Sequence, residues 1–533
     1  MKKKFIFMLI FILVFSLISC DSKVDEYMIT DTNLIPTKTV DDHNRVFYEI
    51  FTGSFSDSNQ DGYGDLRGII NRLDYLNDGD PTSGKSLGIG GIWLTPIFKS
   101  PSYHKYDAAD YCQIDSDFGT MEDLKVLIEE CHKRDIKLII DLVINHSSTE
   151  NEWFINFKNA HINNDVANEY YDFYSYVDET GLNSGATYEQ INGTNHYYEC
   201  NFSTHMPEMN FDNMMVRQTI IEIAKYYLAM GIDGFRLDAA KYIYYKDDIK
   251  NALFWTWFIE ELKKVKEDVY LVGEVWDQDY VIEEYLNSGL NCFSFATSET
   301  SSSSFINAAK YGNVNNVMNY IEKFYTKNKT LQRDLVFVPF LSNHDMDRIG
   351  GYLSIEEKTA QMAASLYLLC PGSPFIYYGE EIGMFGSKGT ENTDANRRLA
   401  MLWGDKDTVK DPIGTTYLKS DQTNGTVQSQ IGDPNSLYTH YKKLIMIRNA
   451  NPEIARGEFV ALKSPNNSVS GFTSTYEGST VCVIHNTKVM ETSIDLSTLS
   501  TFSFSKIRAL IGENASLDGN ILTISGQTSV VLK

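Results

Sequence analysis

Eight short apolar runs recur along the chain between residues 46 and 383. They are VFYEIF (46–51), IGGIWLTPIF (89–98), IKLIIDLVINH (136–146), IDGFRLDAA (232–240), DVYLVGEVW (268–276), NCFSFA (291–296), LVFVPFLSNHD (335–345) and SPFIYYGEEIG (373–383). Strands covered on both faces read as continuous apolar runs, because neither face meets water. Amphipathic stretches lie between them. In TMEDLKVLIEECHKRD (120–135), Leu124, Leu127, Ile128 and Cys131 follow helical spacing, and Thr120 with Asp123 matches a capping box with Asp in place of Glu. VRQTIIEIAKYYLAMG (216–231) ends in a glycine, as helices often do. Alternating strands and helices of this number predict an α/β fold, a (β/α)8 TIM barrel.

Three carboxylates stand at the ends of three of these runs: Asp238 in GFRLDAAK, Glu274 in LVGEVW and Asp345 in FLSNHDMDR. Strand ends of a parallel barrel share one rim, so acids far apart in sequence converge there. Two carboxyl groups about 5 Å apart are what double-displacement glycoside hydrolysis requires. Arg236 lies two residues before Asp238, on the same side of its strand, and a guanidinium there favours an ionised carboxylate. Val275 and Trp276 give Glu274 apolar neighbours that would keep its proton on.

The remaining pattern sets the domain boundaries. Residues 45–146 and 216–452 form the expected barrel. Residues 147–215, rich in Asn, Tyr and Gly and without a clear helical period, form an inserted domain after the third strand. From 453 to 533 short alternating runs predict a C-terminal all-β sandwich. At the N-terminus, Lys2, Lys3 and Lys4 precede the apolar run 5–18, which is the length of a signal h-region and short for a membrane span. Residues 1–19 are expected to be cleaved, and the polar stretch 20–44 to act as a tether. The net charge is −24, and no basic patch follows the leading lysines, so nucleic acid is excluded as a partner. Six cysteines beyond Cys20 are scattered without CxxC spacing, which predicts free thiols rather than a metal site or disulfide framework.

DLVINH, GFRLDAAK, GEVW and FLSNHD, in this order, resemble the signature regions of the α-amylase family of glycoside hydrolases (family 13). MPEMN (206–210), GIWLTPIF and SPSYHKYDAADY match further segments, and the resemblance covers residues 45–450. It implies Asp238 as nucleophile, Glu274 as acid/base and Asp345 as the residue that holds sugar hydroxyls. It implies His146 and His344 as donors to the sugar, Tyr106 as its stacking platform, Lys241 as a substrate contact and Arg348 as an orienter of carboxylates. DSNQDGYGD places Asp57, Asn59, Asp61 and Asp65 at alternate positions around Gly62, with Tyr63 offering its carbonyl. That is oxygen chemistry suited to Ca2+, and the family carries a similar loop after its first strand. At a second calcium site of the family Asn145 matches one ligand, whereas Glu208 and Tyr242 depart from the pattern.

Leu17-Ile18-Ser19-Cys20 resembles a bacterial lipobox. It implies a lipid on Cys20 and an exported chain anchored to a bacterial membrane. Ala239 after the nucleophile resembles α-1,4-acting amylases more than oligo-1,6-glucosidases, which usually carry Val there. The expected activity is therefore retaining endo-hydrolysis of α-1,4-glucan. The alternatives are a neopullulanase, maltogenic enzyme or α-glucosidase acting on short oligosaccharides, or a glucan-binding lipoprotein without catalysis.

Overall fold

The computed structural model describes residues 27–29, 42–182, 185–298, 301–404, 406 and 408–533. The expected signal peptide and Cys20 lie outside them.

Seven parallel strands form the central sheet in the order Asn291–Cys292, Tyr270–Gly273, Gly234–Leu237, Lys137–Leu142, Gly91–Leu94, Phe47–Ile50, Phe375–Tyr377. Parallel bridges Phe293 to Val338 and Phe340 to Phe375 carry the run 335–345 between the two edges and close the barrel. The seventh run is thus reduced to single bridges; Pro339 between them has no N–H to donate.

Inside the barrel Phe47, Trp93, Ile139, Val272, Phe293, Phe340 and Phe375 form one buried cluster. Gly91 makes room for it, because a Cβ there would lie 2.4 Å from the Phe47 ring. Outside, helices bury their apolar stripes against the strands. Helix Met121–Lys133 is capped as expected, with Thr120 and Asp123 each accepting the other's backbone N–H, and it buries Leu124, Leu127, Ile128 and Cys131. Helix Met214–Met230 stops at Gly231, whose φ of 118° suits glycine.

The inserted segment holds a small sheet (Tyr176–Asp178, Tyr188–Gln190, His196–Glu199) and a helix the pattern did not suggest, Glu152–Ile162. Asn151 caps it through Trp153 N, and Phe154, Phe157, Ala160 and His161 make a buried face too narrow to register as a helical period.

At the C-terminal end, a six-stranded antiparallel sheet and the three strands Thr492–Asp495, Ile521–Ile524 and Ala515–Asp518 enclose Leu462, Val469, Ile484, Leu522 and Val530. The six-stranded sheet has an unexpected member. Residues Tyr27–Ile29, in the stretch read as a tether, pair antiparallel with Ile507–Ile511 at its edge. Of the described cysteines, Cys112 is exposed; Cys131, Cys200, Cys292, Cys370 and Cys482 are buried, and these six are free. No helix among the described residues is long and apolar enough to cross a membrane.

Candidate active site

Asp238, Glu274 and Asp345 meet at the rim where the barrel strands end, and they meet around cations. Strand Gly234–Leu237 aims Arg236 inward, where its guanidinium is 1% exposed. Nη1 donates to Asp238 Oδ1 at 2.6 Å and to Asp141 at 3.0 Å, while Nη2 reaches Glu274 Oε2 at 2.8 Å. One planar fork therefore holds three carboxyl groups together. The Ala239 N–H also donates to Glu274 Oε2, at 3.1 Å. Ala239 sits in the left-handed region at φ 41°, a strained backbone that turns this N–H toward the acid.

The other half of the site is built on His344. Its Nδ1–H donates to Glu49 Oε1 at 2.6 Å, and its Nε2–H faces Tyr106 Oη at 2.6 Å and Asp345 Oδ2 at 2.9 Å. Tyr106 passes the chain on by donating to Asp141 at 3.0 Å, and its ring stacks on His344 at 5.4 Å. Arg398 closes the circuit, with Nη2 at 2.7 Å from Asp345 Oδ1.

Three cations thus face five carboxyl groups in a buried site, and the excess negative charge decides the protonation. Burial would lower the His344 pKa, but Asp345 and Glu49 outweigh it and raise it to about 10, so His344 is an imidazolium at neutral pH. Asp345 is held well below the usual carboxylate range against its burial, by His344 and Arg398. Burial pushes Asp238, Glu274 and Asp141 up despite Arg236. Two expectations change here. Arg236 alone does not guarantee an ionised Asp238, because it is shared. The raised Glu274 comes first from burial and then from Asp238 and Asp345 beside it, against Arg236.

The other expected residues fall as follows. His146 is buried at the rim, with Nδ1 accepting from Asn145 at 2.8 Å and Nε2–H donating to the Tyr106 carbonyl at 3.1 Å. Burial lowers its pKa to about 4, so it is neutral. Lys241 lies on the rim, donating to Asp277 at 2.8 Å and the Trp276 carbonyl at 3.0 Å. Arg348 makes no hydrogen bond or ion pair to a carboxylate among the described residues, although its charge acts on the buried Glu380 and Glu381. Its guanidinium donates to the Arg397 and Tyr378 carbonyls and lies over the Tyr377 and Tyr378 rings. Arg398 makes the pair with Asp345, because it projects from the loop after the eighth strand directly over the site. Arg398 lies in ANRRLAM, which has no periodic pattern to single it out. Asp141 and Glu49 were detectable as lone charges inside apolar runs, at 0% and 1% exposure.

The acidic loop 57–65 is wound on itself. Asp57 accepts the N–H groups of Asn59, Gln60 and Gly62, Asn59 accepts that of Asp61, and Asp61 that of Tyr63. Asp65 caps the helix Leu66–Leu76 through Gly68 N and also takes Ser58. Among the described residues no three His, Cys, Asp or Glu side chains gather as a metal ion would need. The loop nonetheless offers only hard oxygen donors, and its turn is already closed at Gly62, so its chemistry fits Ca2+. At the family's second site, Asn145 Oδ1 and Glu208 Oε2 are buried without a hydrogen-bond partner, and burial raises the Glu208 pKa well above its usual value.

A parallel barrel with clustered carboxyl groups at its C-terminal rim defines a glycoside hydrolase architecture. Comparison with known proteins agrees. The family described as "Alpha amylase, catalytic domain" matches residues 49–457, and the chain belongs to this family of glycoside hydrolases. Alpha-amylase 3 of Dictyoglomus thermophilum is 37% identical over 92% of the chain and 93% of its own length. An oligo-1,6-glucosidase of Bacillus cereus is 28% identical over 87% of the chain and 94% of its own length. The solved structure titled "Eubacterium rectale Amy13B" superposes with a TM-score of 0.85 at 34% identity, covering 95% of this chain and 99% of that one.

Proposed function

We propose that the protein is an α-amylase that cleaves internal α-1,4 bonds of starch-like glucans and malto-oligosaccharides with retention of configuration. The observation that carries this reading is the shared guanidinium. Arg236 binds Asp238 and Glu274 at once, so the two carboxyl groups are neighbours on one guanidinium, which supports the close pairing that double displacement uses. Arg236 takes Asp238 Oδ1 and leaves Oδ2 to attack the anomeric carbon. Arg236 and Ala239 N both hold Glu274 Oε2, leaving Oε1 to carry the proton given to the departing oxygen. Once the first product leaves, the same carboxylate takes a proton from the water that hydrolyses the glycosyl ester. Asp345, held ionised by His344 and Arg398, accepts hydrogen bonds from sugar hydroxyls as positive charge builds on the ring.

The similarity to Alpha-amylase 3 supports the amylase reading. The similarity to an oligo-1,6-glucosidase and to a maltogenic alpha-amylase of Bacillus acidopullulyticus keeps action on short oligosaccharides as the second reading. Products from starch, pullulan and maltotriose discriminate them. A rapid fall in starch viscosity is expected; slow viscosity loss with panose from pullulan would overturn the amylase assignment.

Ca2+ held by Asp57, Asn59, Asp61, the Tyr63 carbonyl and Asp65 is part of this reading. It would stabilise the loop after the first barrel strand. Calcium should raise the melting temperature of the EDTA-treated protein and give binding heat in titration calorimetry; neither change would remove calcium from the account. Export and anchoring through a lipid on Cys20 complete it. Mass spectrometry of the protein purified from its native membranes should find a diacylglyceryl modification, and an unmodified Cys20 there would refute the anchor.

A further inference from the structure

The N-terminal strand Tyr27–Ile29 starts at the end of the C-terminal sheet that carries its most exposed apolar side chains. Tyr27 is in register with Ile511, Ile511 with Ser529, and Ser529 with His485. Strands Ile507–Ile511 and Ser479–Asn486 both run antiparallel to Thr528–Leu532, so both leave the sheet at one end, and the chain enters Tyr27–Ile29 there. Beyond Asn486 the chain forms an exposed tip, Lys488-Val489-Met490, with Val489 81% and Met490 71% exposed. Gln527 N holds the tip by donating to the Lys488 carbonyl at 2.7 Å. A Cβ at Gly526 would lie 2.2 Å from the Val489 carbonyl carbon, so the glycine lets the two loops approach. The same end lies on the catalytic side of the barrel. At the far end of strand Ile507–Ile511, Arg508 donates to the Ala450 carbonyl at 3.3 Å, where helix Leu437–Asn449 stops. At the near end, Glu513 pairs with Lys358 at 3.1 Å and Gln527 donates to the Glu357 carbonyl at 2.5 Å, where helix Thr359–Leu368 starts. Barrel helices start on the side where the strands end. The tip is thus locked to the barrel on the side to which the rim opens.

We infer that Val489 and Met490 form a tip that enters the phospholipid surface holding the lipid on Cys20, and so fixes the catalytic rim on the membrane side. The inference rests on the anchoring of Cys20 proposed above. Cys20 stands seven residues before Tyr27, so even a fully extended chain keeps Tyr27 within about 25 Å of the anchor. The row from Tyr27 to His485 spans three strand spacings, about 15 Å, which brings the tip within the same reach. Lys488 offers one ammonium to lipid phosphates and Glu491 opposes it, so in a chain of net charge −24 the contact is apolar rather than electrostatic. Two apolar side chains bind a membrane weakly alone; the anchor holds them beside the surface at high effective concentration.

The test uses the full lipidated protein in vesicles of equal parts phosphatidylethanolamine and phosphatidylglycerol. A fluorophore is attached to Met490→Cys and, for comparison, to Ile521→Cys at the opposite end of the domain. Each carries Cys112→Ser, which removes the exposed thiol among the described residues. Nitroxide-labelled phospholipid should quench the label at 490 severalfold more than the label at 521, and adding Val489→Ser should weaken that quenching. Equal quenching at the two positions overturns the tip. A wild type that carries no lipid on Cys20 and stays out of the vesicles overturns the anchor, and the tip with it.

Discussion

Two buried acid clusters lie close together in this barrel, and they solve the same electrostatic problem in opposite ways. At the rim, Asp141, Asp238, Glu274, Asp345 and Glu49 are held by Arg236, His344 and Arg398. After the eighth strand, Glu380 and Glu381 take their hydrogen bonds from phenols, and the charge of Arg348 only opposes the burial that raises both. Glu380 Oε1 accepts from Tyr367 and Tyr441 at 2.7 and 2.9 Å, and Glu381 Oε1 from Tyr48 and Tyr75 at 2.7 and 2.6 Å. No cation makes an ion pair with either among the described residues. Burial raises the Glu380 pKa to about 8, so it is mostly protonated at neutral pH. The cations keep Asp345 charged and hold the other acids against burial, whereas the tyrosines leave Glu380 to keep its proton.

The comparison breaks most visibly at Arg236. Arg236→Met leaves three carboxyl groups without their common partner. Activity on amylose should fall by about a thousandfold or more, and stability by about 3–5 kcal/mol, the usual effect of breaking a buried pair. Steady-state assays and urea unfolding measure both, and activity within tenfold of wild type would mean that the guanidinium does not organise the site.

A smaller effect sharpens the other side. The folded pKa of Glu380 lies above its ordinary value of 4.5. Its contribution to stability is therefore complete below about pH 4.5 and is lost as pH rises through about 8. Glu380→Gln keeps an acceptor for both phenols and removes the titration. Its melting temperature should fall less than that of wild type between pH 5 and 9, with kcat on amylose near wild type. Parallel melting curves for the two proteins across that range would show that Glu380 is ionised in the fold.

How much of this was legible in the sequence follows the same divide. Continuous apolar runs announced the barrel because both faces of its strands are covered, and acids at their ends announced the site because strand ends share a rim. The inserted helix at Glu152–Ile162 was hidden by aromatic and Asn residues that give it a narrow buried face. The strand Tyr27–Ile29 was hidden because it is three residues long and owes its existence to pairing with the far end of the chain. Arg398 was missed for a related reason: it follows a loop whose path only the folded barrel decides. Lone charges in apolar runs, Glu49 and Asp141, were the one available sign that the three acids belong to a larger network.

In the proposed double displacement Asp238 attacks the anomeric carbon from the face opposite the departing oxygen, to which Glu274 gives its proton, and Arg236 holds the two acids in place for this. Proton NMR of the first product released from maltoheptaose reads this directly. Double displacement predicts that the new reducing end appears as the α-anomer before mutarotation. A β-anomer formed first would require a water between the carboxyl groups and would contradict the account.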